Sequence, residues 1–217
     1  MNETIQDPLK PMGQIYEPDE RQASFSGTIE DRHNELQKVT LSDTVPLGVR
    51  QLFETAKNLS LYSWFVYRFH QVSELMAFTA LEMALRERYL AENPIDPEKN
   101  QRSPALYKLM QHAKLHGWIT QEGFSDSYEF ARYQAKNNKK LNKMKAHDFE
   151  KEPSMSIDEP TPTEISEALA NSDRVGGIAN NIHKIRNNLA HGSNLLHPNS
   201  VTTLHSNAEM INQIYSK

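Results

Sequence analysis

Residues 183–193 read HKIRNNLAHGS and bring a guanidinium, a carboxamide and an imidazole close together: Arg186, Asn187 and His191. At about 100° per residue in a helix, Asn187 and His191 stand one turn apart on one flank, about 40° from each other. Arg186 lies about 100° back, and its long side chain can swing over that flank. An imidazole titrating near neutral pH can take a proton from a ribose 2′-hydroxyl or give one to a leaving oxygen. A guanidinium offers a planar fork to a phosphate and stabilises the charge gathered in its transition state. The amide can orient either partner. The set suits RNA cleavage and calls for no metal and no cofactor. It also suits a plainer role, since basic residues are favoured near helix C-termini on electrostatic grounds alone.

The helix carrying this trio begins after Thr163 and Glu164. Val175, Ile178, Ile182, Ile185 and Leu189 recur along it at steps of three and four and form a core-facing seam. Gly192 suits a left-handed cap at its end. The stretch from Ser60 to Ala91 holds no Gly or Pro and reads as one long helix. Leu61, Phe65, Val72, Met76 and Met83 mark one of its stripes; Trp64, Leu75, Phe78, Leu85 and Tyr89 mark the other. Further helices are expected over 45–59, over 103–117 on Leu106, Leu109, Met110 and Ala113, over 125–146, and from Pro198 onward. No β pattern of convincing length appears. The expected fold is all-α, a helical bundle with two long central helices. Residues 1–40, with Pro8, Pro11, Pro18, Gly13 and Gly27, read as an irregular N-terminal arm. Residues 41–217 form the helical domain, with 121–162 as a polar helical insertion and linker.

The segment RNNLAHG at 186–192 resembles the signature of the HEPN superfamily (higher eukaryote and prokaryote nucleotide-binding domains), with Arg186, polar Asn187 and His191 at its positions. ELMAFTALEMALRERY, which holds Glu82, is similar to that family's earlier core helix, and the helical order matches over about 45–215. The resemblance implies a bundle that forms a homodimer and pairs two motifs in one cleft. It often implies metal-independent endoribonuclease activity, in toxins or defence effectors controlled by an antitoxin or other regulatory protein. Other members only bind. The two functional expectations are therefore an endoribonuclease with Arg186, Asn187 and His191 as catalytic residues, and a non-catalytic module binding a nucleotide or a partner protein.

Glu82 interrupts an apolar run four residues before Arg86. It can form an ordinary ion pair there, or reach across the bundle to orient Arg186 or His191. Arg132, Lys136, Lys139, Lys140 and Lys143 fall on one helical stripe that could hold RNA phosphates. The acidic linker that follows, with Asp148, Glu150, Glu152, Asp158 and Glu159, could instead fold back on them. His112 and His116 share a face, but no third metal ligand lies near in sequence. Tyr62, Trp64, Phe65, Tyr67 and Phe69 read as packing.

A formal charge of −4 gives no global attraction to nucleic acid. There is no cysteine, hence no disulfide or thiolate chemistry, which fits a reducing compartment. Only 37% of residues are hydrophobic, no long apolar run is present and no basic–apolar leader opens the sequence. A cytoplasmic protein without a membrane span is expected.

Overall fold

Thr28 opens the first helix with a reciprocal cap. Its Oγ1 accepts from Asp31 N at 3.2 Å, and Asp31 Oδ2 accepts from Thr28 N at 2.9 Å. The computed structural model describes residues 7–25, 27–94, 103–148, 154–192 and 196–216. Its helices are α1 (Ile29–Lys38), α2 (Leu47–Tyr62), α3 (Phe69–Glu92), α4 (Leu106–Leu115), α5 (Ser127–Ala146), α6 (Pro162–Asn171), α7 (Arg174–Ala190) and α8 (Ser200–Ile214). No strand occurs among the described residues. The protein is an all-α bundle.

α3 is the hub. Ala77, Ala80, Leu81, Ala84 and Leu85 on it are fully buried, and the alanines let neighbouring backbones come close. α2 and α8 cover most of α3; α4 and α7 pack on each other and on its remaining flank. α1 lies against α2. The C-terminal end of α8 is tied down by Arg88, which donates to Ile214 O, and by Tyr215, whose hydroxyl donates to Ala84 O at 3.0 Å. α5 and α6 form a satellite hairpin with a small core of Ala131, Ala135 and Ile165.

Four features depart from the sequence reading. The expected single helix over 60–91 is broken between Ser63 and Arg68. No Gly or Pro breaks it; the residues there, SWFVYR, are mostly weak helix formers, and the N-terminal arm satisfies the freed backbone groups. Asp19 N donates to Trp64 O at 2.9 Å, Gln22 Nε2 donates to Ser63 O at 3.3 Å, and Tyr67 N donates to Asp19 Oδ2 at 3.4 Å. Arg21 stacks on Tyr67 and Arg32 on Trp64, so the aromatic group packs at the break. Secondly, the arm is not wholly irregular: it contains α1 and a 3-10 turn over Glu20–Ser24. Thirdly, the helix after Thr163 is two helices, divided at Ser172 and Asp173. There Asp173 restarts the chain by accepting from Gly176 N at 3.0 Å. Fourthly, Ile182 is buried but Ile185 is 48% exposed, because it faces an open groove beside α7, while Leu189 one turn on still packs on the core.

Ser63 is the keystone of the break. Its Oγ donates to Ser60 O at 2.6 Å, accepts from Arg32 Nη1 at 2.9 Å and meets His70 Nε2 at 3.1 Å. Ser63→Ala leaves buried polar groups without a partner, at an expected loss of about 1–3 kcal/mol. Urea unfolding of both proteins measures it, and an unchanged midpoint would contradict this role.

Candidate functional site

The last turns of α7 hold the trio. Ile182 is buried and Leu189 half-buried, which fixes the rotation of the helix and turns Asn187 and His191 out to solvent. His191 is the C-terminal cap residue, with its N donating to Asn187 O at 2.9 Å, and Gly192 then turns the chain at φ +86°. Arg186 is half-buried. Its Nη1 donates to Asn187 Oδ1 at 3.4 Å, and its Nη2 lies 3.5 Å from Glu82 Oε2 on α3. The same Glu82 accepts from Arg86 Nη2 at 2.5 Å through its other oxygen. Glu82 therefore pairs with Arg86 within α3 and also lies against Arg186 of α7. Arg186 Nε is buried and has no partner among the described residues. The guanidinium is oriented yet keeps hydrogen-bonding capacity.

The basic stripe of α5 is covered from within. Residues 154–161 run back along it as an extended acidic strap that leads into α6. Arg132 lies 3.1 Å from Glu159, which also accepts from Lys136. Lys139 reaches Glu164 at 2.9 Å and Lys143 donates to Ser156 O at 2.8 Å, while Lys140 is exposed. Lys136 and Arg132 hold the Glu159 carboxyl below its usual range. The Glu164 carboxyl falls to about 2, first because it accepts from the Thr161 backbone N–H and then because of Lys139. Of the acidic residues expected to fold back, Asp158 lies in the strap; Glu150 and Glu152 fall outside the described residues.

His112 and His116 stack face to face, with ring centroids 3.8 Å apart, against Trp118 and Tyr89. Stacked rings do not converge their nitrogens on one point. Among the described residues no three potential ligands gather for a metal ion. No helix among them is long and apolar enough to cross a membrane.

Sequence reasoning missed a polar cluster inside the bundle. His70 and Glu74 stand one turn apart on α3, and both are buried. His70 Nδ1 meets Ser200 Oγ at 2.7 Å, and Ser200 Oγ meets Ser60 Oγ at 2.6 Å. Burial, with the Arg32 charge nearby, takes the His70 imidazole down to about 4. Burial pushes the Glu74 carboxyl up to about 7, against a 3.4 Å hydrogen bond from Thr203 Oγ1. The only signal in the sequence was two titratable residues at helical spacing in an apolar stretch.

Also unforeseen is a groove of about 780 Å³ bounded by α5, α7, α8 and Phe78 of α3. It takes in Ile185 and Asn181 of α7, so it lies on the side of that helix away from Asn187 and His191. The chain matches no protein-family model, no characterised protein and no solved structure.

Proposed function

We propose that the chain is a HEPN-like endoribonuclease that cleaves RNA through the ribose 2′-hydroxyl without a metal ion or cofactor. The observation that supports this most is the tether of Arg186 to Glu82 beside an exposed Asn187 and His191. Holding a guanidinium in place beforehand is what transition-state stabilisation of a phosphorane requires. In this reading His191 is the acid/base and Asn187 positions the phosphate or the imidazole. The 2′-oxygen attacks phosphorus, the 5′-oxygen leaves with a proton, and the products are a 2′,3′-cyclic phosphate and a 5′-hydroxyl. Removal and delivery of the proton ask for two groups. A homodimer with both trios facing one two-fold axis supplies two imidazoles. The reading carries with it a cytoplasmic location, an RNA substrate and control by an antitoxin or another regulatory protein.

The test is incubation of the chain with labelled RNA in EDTA, with chemical analysis of the new ends. Cyclic phosphate ends formed by wild type are the expected result; intact RNA overturns the catalytic reading. Light scattering at micromolar concentration should give the mass of a dimer, and a monomer would contradict the shared cleft.

The second reading is a non-catalytic module binding a nucleotide or a partner protein. It is favoured by the strap, since Arg132, Lys136 and Lys139 already have carboxylate partners and offer RNA little free charge. If RNA is nevertheless held there, Glu159→Ala frees Lys136 and leaves Arg132 with Glu129 alone, and should tighten RNA binding a few-fold at low salt. Unchanged affinity in a filter-binding titration would remove the α5 stripe from the RNA surface.

A further inference from the structure

Between Arg174 and His191 the sequence holds no acidic residue, although acids outnumber Lys and Arg by 28 to 24 in the whole chain. Asn180, Lys184, Asn187 and His191 follow one another at steps of four, three and four. They form one outward stripe on α7, and all four are exposed. At the rise of a helix the stripe is about 16 Å long. Lys184 has no carboxylate partner among the described residues, unlike Arg132, Lys136 and Lys139 of α5. Two acids border α7, and both are paired with cations: Glu82 with Arg86 and Arg186, and Asp173 with Lys114.

α4 runs antiparallel beside this stripe, as three contacts across the two helices show. Lys114 lies 2.8 Å from Asp173, Gln111 Nε2 donates to Asn180 Oδ1 at 3.0 Å, and Tyr107 meets His183 with ring centroids 5.1 Å apart. That order puts Tyr107, in the first turn of α4, at the end closest to Arg186, Asn187 and His191. His183 precedes Asn187 by one helical turn, about 6 Å along the axis. The Tyr107 and His183 rings stand at 69°, so the imidazole orients the phenol ring and covers at most one of its faces. Tyr107 is 42% exposed. An oriented, half-open aromatic ring beside a phosphate site, on a face with an unpaired lysine and no free acid, can hold a nucleic-acid strand by base and backbone together.

We propose that Tyr107 stacks on an unpaired nucleobase adjoining the phosphate held by Arg186, Asn187 and His191, while Lys184 holds another phosphate of the same strand farther along α7. The subsite rests on the reading of those three residues as an RNA phosphate site. Neighbouring bases cover both faces of a base in a duplex, so the subsite accepts a single strand or a loop.

The test measures binding without cleavage. Its probe is a labelled hexaribonucleotide with fluorine in place of every 2′-hydroxyl, which removes the attacking nucleophile. Binding to the full-length chain is followed by fluorescence anisotropy. Tyr107→Ala is expected to weaken binding at least fivefold, and Tyr107→Trp to keep it. A strand of abasic spacers of equal length should bind wild type and Tyr107→Ala alike. Lys184→Ala should weaken binding of the hexamer and reduce its salt slope by about 0.7, the value for one phosphate contact on a single strand. No binding of the hexamer overturns the proposal. So does equal binding by wild type and Tyr107→Ala, a loss in Tyr107→Trp as large as in Tyr107→Ala, or the same loss with the abasic strand. An unchanged salt slope in Lys184→Ala overturns the phosphate contact. Should Tyr107→Ala fail to fold, Tyr107→Leu, which keeps apolar bulk but has no π-face, takes its place. RNA cleavage by a wild type whose binding ignores Tyr107 defeats the subsite and spares the endonuclease; Tyr107-dependent binding by a chain that cuts no RNA does the reverse.

Discussion

His191→Ala is expected to lower single-turnover RNA cleavage by about 10²–10⁴-fold, the usual contribution of a positioned acid/base group. Its thermal midpoint should stay close to that of wild type, because the ring is exposed at the end of α7 and supports no packing. Arg186 differs. It is half-buried and tied to Glu82, so Arg186→Ala should reduce turnover and also loosen the α3–α7 contact. Arg186→Lys should restore the tether more fully than the rate, since an ammonium lacks the planar fork. Cleavage and thermal melts on the same proteins separate the two effects. Equal cleavage by wild type and folded His191→Ala would end the catalytic reading and leave a binding module.

Glu74→Gln should stabilise the protein, and by more as pH rises. Burial keeps the folded-state carboxyl protonated up to about 7, against 4.5 for an ordinary glutamate. Between those values the folded protein binds the proton more tightly than the unfolded chain, so stability falls as pH rises. Each pH unit of separation is worth about 1.4 kcal/mol, which makes the advantage of the neutral glutamine about 3 kcal/mol above the upper value. His70 acts with the opposite sign. Its folded-state imidazole titrates near 4 rather than 6.5, so the unfolded chain binds the extra proton and stability rises with pH across that window. Where the windows overlap, the two slopes oppose each other. Wild type should therefore vary less with pH than Glu74→Gln, in which the rising contribution of His70, with one of the same sign from His112, is no longer opposed by Glu74. Urea unfolding from about pH 4 to about pH 8 measures this. A stability gain that is the same at every pH would show that Glu74 is not held protonated.

The helical seams were legible because burial repeats at the period of the helix. Leu106, Leu109, Met110 and Ala113 of α4, and Leu204, Ala208, Ile211 and Ile214 of α8, are buried as their spacing requires, and Val201 at the start of α8's seam is partly buried. The trio was legible as residue types at the end of a helix, and Glu82 as a carboxylate in need of a cation. The break at Ser63–Arg68 was not, because its partners are Asp19, Gln22 and Arg32, far off in the sequence, and it holds no Gly or Pro, only a run of aromatic and β-branched residues of weak helix preference. α1 escaped because only Leu36 of its ten residues is buried; the cap pair Thr28 and Asp31 was the available sign. Ile185 keeps the apolar period but faces the groove and not a packed neighbour. The groove depends on how α5 lies beside α7 and α8, and no local pattern encodes that.

The acidic strap makes the α5 surface an occupied one. Glu159 and Glu164 are joined to the lysines they neutralise by a few tens of residues at most, so they return after every excursion. A tethered group of this kind acts at an effective concentration of about millimolar order. A polyanion arriving from solution must outbid that resident competitor, and short or sparsely charged ones will fail. Displacing the strap would take an anion whose charges engage several of these cations at once. The strap thereby sets the charge density that any anion would have to exceed at this face.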